Sequence, residues 1–229
     1  MSTVFIAGTD TGVGKTIVAS HLAAYGAGKG HKTIVQKWVQ TGSRPLSDDI
    51  HLAIKLLKLS DNEVAKLLPS MVPYSFRYPC SPHLAAHMEG VTICEKRICT
   101  ALHYLKQHYD FVIIEGSGGL MVPLRRDYLL LDLITQLSLP VILVVNNKLG
   151  AINHTLLSIE ILKQRDISLL GLIFNNMVCD EDTRIMEDNI DIIPHISGTS
   201  VLGTIPYIQS LDQMPDLFET LGETIFRML

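Results

Sequence analysis

A chain of 229 residues with 47% hydrophobic content can bury one sizeable α/β core, so a single domain over residues 1–229 is expected. Its net charge of −4 leaves no basic footprint for nucleic acid, and an anionic ligand must be met by local groups. No apolar run approaches the ~20 residues that cross a bilayer, no secretory signal is read at the start, and Cys80, Cys94, Cys99 and Cys179 show neither a C-x-x-C pair nor disulfide-framework spacing; a cytoplasmic chain with reduced thiols and no membrane partner is expected.

The run Val4-Phe5-Ile6-Ala7 reads as a strand and Ile17 to Leu22 as the opening of a helix, with Gly8-Thr9-Asp10-Thr11-Gly12-Val13-Gly14-Lys15-Thr16 between them. A strand, a glycine-rich turn, Gly-Lys-Thr and a helix build a phosphate-binding loop. Glycines let successive backbone N–H groups turn inward, and the helix adds its positive dipole end. In that frame Lys15 reaches the β- and γ-phosphate oxygens and the Thr16 hydroxyl can ligate Mg²⁺. The usual G-x-x-x-x-G-K-[ST] spacing puts its first position on Thr9, with Gly8 one residue early.

The first helix is expected to stop near Lys29, between Gly28 and Gly30. Lys32 to Trp38 reads as a strand that delivers Lys37 at its carboxyl end, where open parallel sheets bind ligands. A turn-rich loop, Gln40 to Pro45, follows. Ser47-Asp48-Asp49 resembles a helix cap before the pattern 50–57, and its carboxylates could cap, reach Mg²⁺, or both. Pro69, Pro73 and Pro79 predict short helical pieces and loop over 60–79, then helices over 82–89 and 92–108. Cys80, His83 and His87 form a Cys/His cluster with the histidines one helical turn apart, but no convincing fourth ligand lies nearby in sequence.

Asp110 to Glu115 is a continuous apolar run ending in an acid, which suits a strand buried on both faces, and Gly116-Ser117-Gly118-Gly119 follows at once. A carboxylate at such a strand end is where phosphate-loop enzymes hold their metal. A helix over 129–137, a buried strand over 140–145 and a helix opening at Leu149 to Asn153 come next. That helix start could hold a carboxylate. Strands over 169–174, ending at Asn175-Asn176, and over 201–206 precede an amphipathic closing helix over 212–229, with Pro215 near its true start. No regular element is predicted between Asn176 and Val201. Alternating strands and helices give an α/β fold of the P-loop NTPase type, a mostly parallel sheet with helices on both faces.

The chain resembles the dethiobiotin synthetase family over nearly its whole length. Six blocks carry the likeness in order: residues 8–16; Lys37 to Gly42; Ser81-Pro82-His83; Glu115-Gly116-x-Gly118-Gly119 with Val122-Pro123-Leu124; Leu149-Gly150-x-Ile152-Asn153-His154; and Gly203-x-Ile205-Pro206. The resemblance implies ATP- and Mg²⁺-dependent closure of a ureido ring from 7,8-diaminononanoate and CO₂, through a carbamate and a carbamic-phosphoric anhydride. It also implies a homodimer. Thr16, Asp49 and Glu115 would ligate Mg²⁺, with Asp48 a rival to Asp49. Residues Asp10, Thr11, Gly12, Val13, Gly14, Lys15, Thr16 and Ile17 would hold the nucleotide, and Asn175 and Pro206 its adenine. Lys15 and Lys37 would stabilise the reacting phosphate and carbamate. Thr11, Lys37, Thr41 and Gly118 would contact the diamine, whose carboxylate would be held by Gly150, Ala151 and Asn153 of the other subunit. Three residues depart from the family pattern: Trp38 stands in place of a proline, Ser117 in place of a small apolar residue, and Asn146-Asn147 are unusually polar. A nucleotide-switched ATPase of the partitioning or septum-positioning kind is the alternative, but its extra loop lysine is replaced here by Asp10.

Overall fold

In the computed structural model, residues 2–42, 48–179, 182–210 and 213–229 are described. The expected loop residues Ser43, Arg44 and Pro45, the proposed cap Ser47 and the helix-start residue Asp212 lie outside them. Six parallel strands form the central sheet: β1 (Ser2–Gly8), β2 (Thr33–Lys37), β5 (Phe111–Glu115), β8 (Val141–Asn146), β9 (Leu169–Asn175) and β10 (Val201–Ile205). Their order across the sheet is β10-β9-β8-β1-β5-β2. The consecutive residues Val4 to Gly8, Val112 to Glu115 and Val141 to Val145 are all buried, so these strands are covered on both faces. Helices cover them: α1 (Lys15–Gly28), α2 (Asp48–Leu57), α3 (Asp61–Met71), α4 (Pro82–Met88), α5 (Glu95–His108), α6 (Leu130–Gln136), α7 (Ala151–Gln164), α8 (Thr183–Ser197) and α9 (Met214–Phe226).

β1 lies centrally, with β5 and β2 on one side and β8, β9 and β10 on the other. The chain thus reverses its direction of travel at β1, and the loop leaving that strand opens into the crevice where such sheets take ligands. Lys37 and Glu115 are direct register partners at the carboxyl ends of β2 and β5. α9 closes the back of α1: Phe218 faces His21 at 5.4 Å, and Phe226 faces Tyr25 at 5.4 Å. Gly26 and Gly222 make room for those rings, since a Cβ at Gly26 would meet Phe226 at 2.4 Å and one at Gly222 would meet Tyr25 at 2.5 Å.

Several elements differ from the sequence expectation. Residues 60–79 hold a continuous eleven-residue α3, opened by a Ser60/Glu63 capping box. Pro69 is tolerated near its end. Val39–Thr41, of which Gln40 and Thr41 were expected in a loop, is a short strand β3 paired in parallel with β4 (Tyr74–Phe76). A small antiparallel pair, β6 (Pro123–Arg125) and β7 (Tyr128–Leu129), precedes α6, and α8 fills the stretch where no element was expected. Among the described residues no helix is long and apolar enough to cross a membrane.

Candidate active site

The loop after β1 folds around its own lysine. Lys15 Nζ donates to the carbonyl of Asp10 at 2.7 Å, and a Cβ at Gly8 would meet that nitrogen at 3.0 Å and Val13 at 2.6 Å, so only glycine fits there. Gly14 takes φ +99, and a Cβ on it would meet the Asn175 amide at 2.1 Å. Burial, then the neighbouring Lys37 charge, pushes the Lys15 pKa down to about 8. A cation held this way is poised for an incoming anion.

Beside the loop, four side chains from four elements converge. Thr16, in the first turn of α1, places Oγ1 3.0 Å from Asp49 Oδ1 and 2.8 Å from Glu115 Oε1. One hydroxyl carries one proton and satisfies one carboxylate at a time. Lys37 Nζ bridges the same acids, 3.0 Å from Asp49 Oδ2 and 2.5 Å from Glu115 Oε1. Burial works against the Lys37 charge, yet the Glu115 and Asp49 carboxylates overcome it and hold its pKa above the usual lysine value. Burial would also raise Asp49, but Lys37 and the Thr16 hydroxyl hold its carboxyl below the ordinary range. Glu115 is 1% exposed, and its Oε2 has no hydrogen-bond partner among the described residues. Oxygen donors only, two of them carboxylates, and a buried orphan oxygen are the donor chemistry that suits a hard cation such as Mg²⁺. Asp48 heads α2, but its side chain lies outside the described residues.

A cavity of about 500 Å³ opens over this cluster, lined by Thr11, Lys37, Thr41, Asp49, Ser81 and Gly118 among others. It brings the expected substrate residues of the loop, β2 and β3 together. Gly150 and Asn153 line a separate cavity between α7 and the end of α8.

Known proteins resemble this chain over most of its length. The family described as an AAA domain matches residues 2–215. The ATP-dependent dethiobiotin synthetase BioD 2 of Haemophilus ducreyi is 40% identical over 181 residues, 78% of this chain and 84% of the relative. The ATP-dependent dethiobiotin synthetase BioD of Chlorobaculum tepidum is 40% identical over 203 residues, 89% of this chain and 84% of its own. That of Halalkalibacterium halodurans is 35% identical over 97% of this chain and 89% of its own. The chain belongs to the dethiobiotin synthetase family. Membership makes it an enzyme, an ATP-dependent ligase, in agreement with the resemblance read from the sequence blocks.

Solved structures share the fold. The Aquifex aeolicus MinC:MinD cell division complex gives a TM-score of 0.62 at 14% identity, covering 100% of this chain and 96% of that one. The MinD ATPase of Pyrococcus furiosus gives 0.61 at 16%, covering both chains fully. At such identity the likeness shows the P-loop NTPase fold alone.

In this dethiobiotin synthetase family member, Trp38, Ser117 and Asn147, which departed from the family pattern, have local reasons. Trp38 is fully buried, packs on Phe5 with ring centroids 5.0 Å apart and donates Nε1–H to Gln36 Oε1 at 3.1 Å. Packing and the β3–β4 pairing thus direct the chain to Thr41 without a proline. Ser117 donates its hydroxyl to the Val39 carbonyl, tying the glycine-rich turn to β3. Asn147 donates to Asn176 Oδ1 at 2.9 Å and accepts from Asn189 at 2.9 Å, so its polarity serves to pin α8. Asn175 is buried at the end of β9, and its amide donates to the Val13 carbonyl at 3.0 Å, bracing the loop. Pro206 follows β10, whose Ile205 is the register partner of Asn175. Sequence reasoning assigned no role to Ser81 or Ser117. The signal available for both was a hydroxyl inside a family block.

Proposed function

We propose that this enzyme forms dethiobiotin from 7,8-diaminononanoate, CO₂ and ATP, with release of ADP and phosphate. The observation that carries the reading is that Lys37 and Asp49 line the cavity that also holds Thr11 and Thr41, with Thr16 and Glu115 bonded to them directly beside the phosphate loop.

Residues 10–17 hold the polyphosphate through backbone N–H groups and Lys15. Thr16, Asp49 and Glu115 would hold Mg²⁺, which would supply neutralisation of the negative charge on the phosphates. Lys37 stabilises the carboxylate of the carbamate and the negative charge that develops as its oxygen takes the phosphoryl group. Thr11, Thr41 and Gly118 orient the diamine so that its second nitrogen can attack the anhydride carbon and close the ring. No covalent enzyme nucleophile is needed; the chain contributes positioning and fixed charge. Asn175 and Pro206 receive the adenine, an amide offering both a donor and an acceptor.

Gly150, Ala151 and Asn153 hold the substrate carboxylate across a homodimer interface in the cytoplasm. Gly150 and Asn153 line a cavity separate from that of Lys37 within one chain, which supports a contribution from a second subunit. Exposed Met121 and Leu157 line a further cavity of about 610 Å³ that runs from Asp10 to α7, an apolar surface suited to that contact.

The test is incubation of the purified protein with diamine, ATP and ¹³C-bicarbonate. Dethiobiotin carrying one ¹³C in its ureido carbonyl is the expected product. Absence of that product with a correctly folded protein overturns the reading.

A further inference from the structure

Ser81 immediately precedes α4, the position at which a serine hydroxyl ordinarily accepts a bond from a backbone N–H of the next turn. Here the side chain makes no such cap. Its Oγ lies 3.1 Å from His83 Nδ1 instead, while the Ser81 carbonyl accepts the backbone N–H of Ala85 at 2.9 Å. The diverted hydroxyl sits between two spaces. Ser81 lines the cavity that holds Lys37, Thr41 and Asp49, and His83 lines a second cavity of about 260 Å³ on the far side of α4.

The chemistry of the proposed function requires a proton acceptor. A primary amine with an ordinary pKa near ~10 arrives protonated at neutral pH, and each of its nitrogens must shed a proton before its lone pair can bond to carbon. Lys37 is held as a cation between two carboxylates, Asp49 and Glu115 are engaged by Lys37 and Thr16, and Lys15 is bonded to the Asp10 carbonyl. The groups already assigned therefore stabilise charge and leave proton removal without an agent.

We propose that Ser81 and His83 form the proton acceptor for the substrate's amines, with Ser81 touching the amine and His83 acting through it. An amine N–H gives its proton to Ser81 Oγ while Ser81 O–H gives its own to His83 Nδ1. The electron pair of the broken N–H bond stays on nitrogen and forms the new N–C bond. The imidazolium returns its proton to water in the outer cavity. Histidine is suited to this because it changes charge between pH 5 and 8. The ionisable groups that line the outer cavity with His83 are His87 on its own helix and Arg125 and Arg126 at the end of β6, and Tyr74 is the ionisable residue of β4, which packs against α4. Arg125 is held by Glu95 at 2.6 Å, and the Tyr74 hydroxyl accepts the Cys94 N–H at 2.9 Å. β3 brings no charged side chain.

The inference rests on the proposed function, and a pH profile of kcat/KM for the diamine between pH 6 and 9 tests it. His83→Asn keeps an acceptor where Nδ1 stood but cannot titrate. It should lower kcat/KM roughly 100-fold and abolish the imidazole limb of the profile, while ATP affinity and Tm stay close to those of the unaltered protein. Ser81→Ala should match it, and the double variant should be no worse than either. His83→Ala should regain activity with millimolar imidazole. A His83→Asn enzyme with unaltered kcat/KM, or a slower one that keeps the same limb, overturns the inference alone. Failure of the unaltered protein to make dethiobiotin overturns the proposed function and this inference with it.

Discussion

Lys37 satisfies two acids at once, and its pairing with Glu115 is almost completely buried, with side chains 6% and 2% exposed. Removing one member of such a pair leaves the other uncompensated, so this lysine affects both stability and chemistry. Lys37→Met should lower kcat at least ~100-fold with little change in nucleotide affinity, because its charge acts at the reacting carbamate rather than on bound ATP. Single-turnover kinetics with a separate nucleotide titration check this, and a kcat within a few-fold of the unaltered enzyme removes Lys37 from the chemistry. A second residue-scale prediction concerns His21, which is 3% exposed and packed on Phe218. Burial pushes its pKa down to about 4 from an ordinary 6.5. As pH falls, the unfolded chain takes up this proton before the folded one. The associated stability is therefore complete above ~6.5 and lost progressively toward ~4. Urea unfolding should show about 2 kcal/mol of this loss between pH 7.5 and 5, and His21→Phe should flatten that portion of the curve. An unchanged slope in the variant refutes the assignment.

At the scale of elements, α8 is held by amides as well as by an apolar stripe, in which Ile193 is fully buried and Ile190 packs against the core. Asn189 donates to Asn147 Oδ1 at 2.9 Å and to the Lys148 carbonyl at 3.1 Å, and Asn147 donates to Asn176 and to the Met186 carbonyl. Asn189→Leu strands these acceptors and should cost about 1–3 kcal/mol in urea unfolding; a loss under about 0.5 kcal/mol means the network contributes little. The sequence reading passed over α8 although Ile190 and Ile193 mark its inner face, since the buried Asn189 interrupts that stripe and Pro194 falls within the helix. Its ends were nonetheless readable, since Asp182 caps the Arg184 N–H and Gly198 stops it at φ +68. The three-residue β3 and β4 and the two-residue β7 are too short to show a period. By contrast β1, β5 and β8 were legible as continuous apolar runs because both of their faces are buried. The candidate site was legible from strand ends: Glu115 closes the apolar run of β5, Lys37 closes β2, and Lys15 stands just past the glycine-rich loop that follows β1. Ser81 was hidden because its partner, cavity and diverted cap are features of three-dimensional placement.

For the molecule as a whole, the parallel sheet places the phosphate loop of β1, Lys37 of β2 and Glu115 of β5 at the carboxyl ends of its strands, while Gly150 and Asn153 at the start of α7 line a cavity that none of them shares. The proposed function therefore needs a second subunit to complete the substrate site. Leu157 is 62% exposed on α7. Leu157→Asp should yield a monomer by sedimentation that binds ATP normally and has a KM for the diamine raised at least tenfold. A fully active monomer contradicts the shared site. The central claim is that phosphoryl transfer is coupled to ring closure, and it is most directly tested by phosphate release with one substrate omitted at a time. The account predicts release only when ATP, diaminononanoate and bicarbonate are all present; robust release with neither the diamine nor bicarbonate contradicts it.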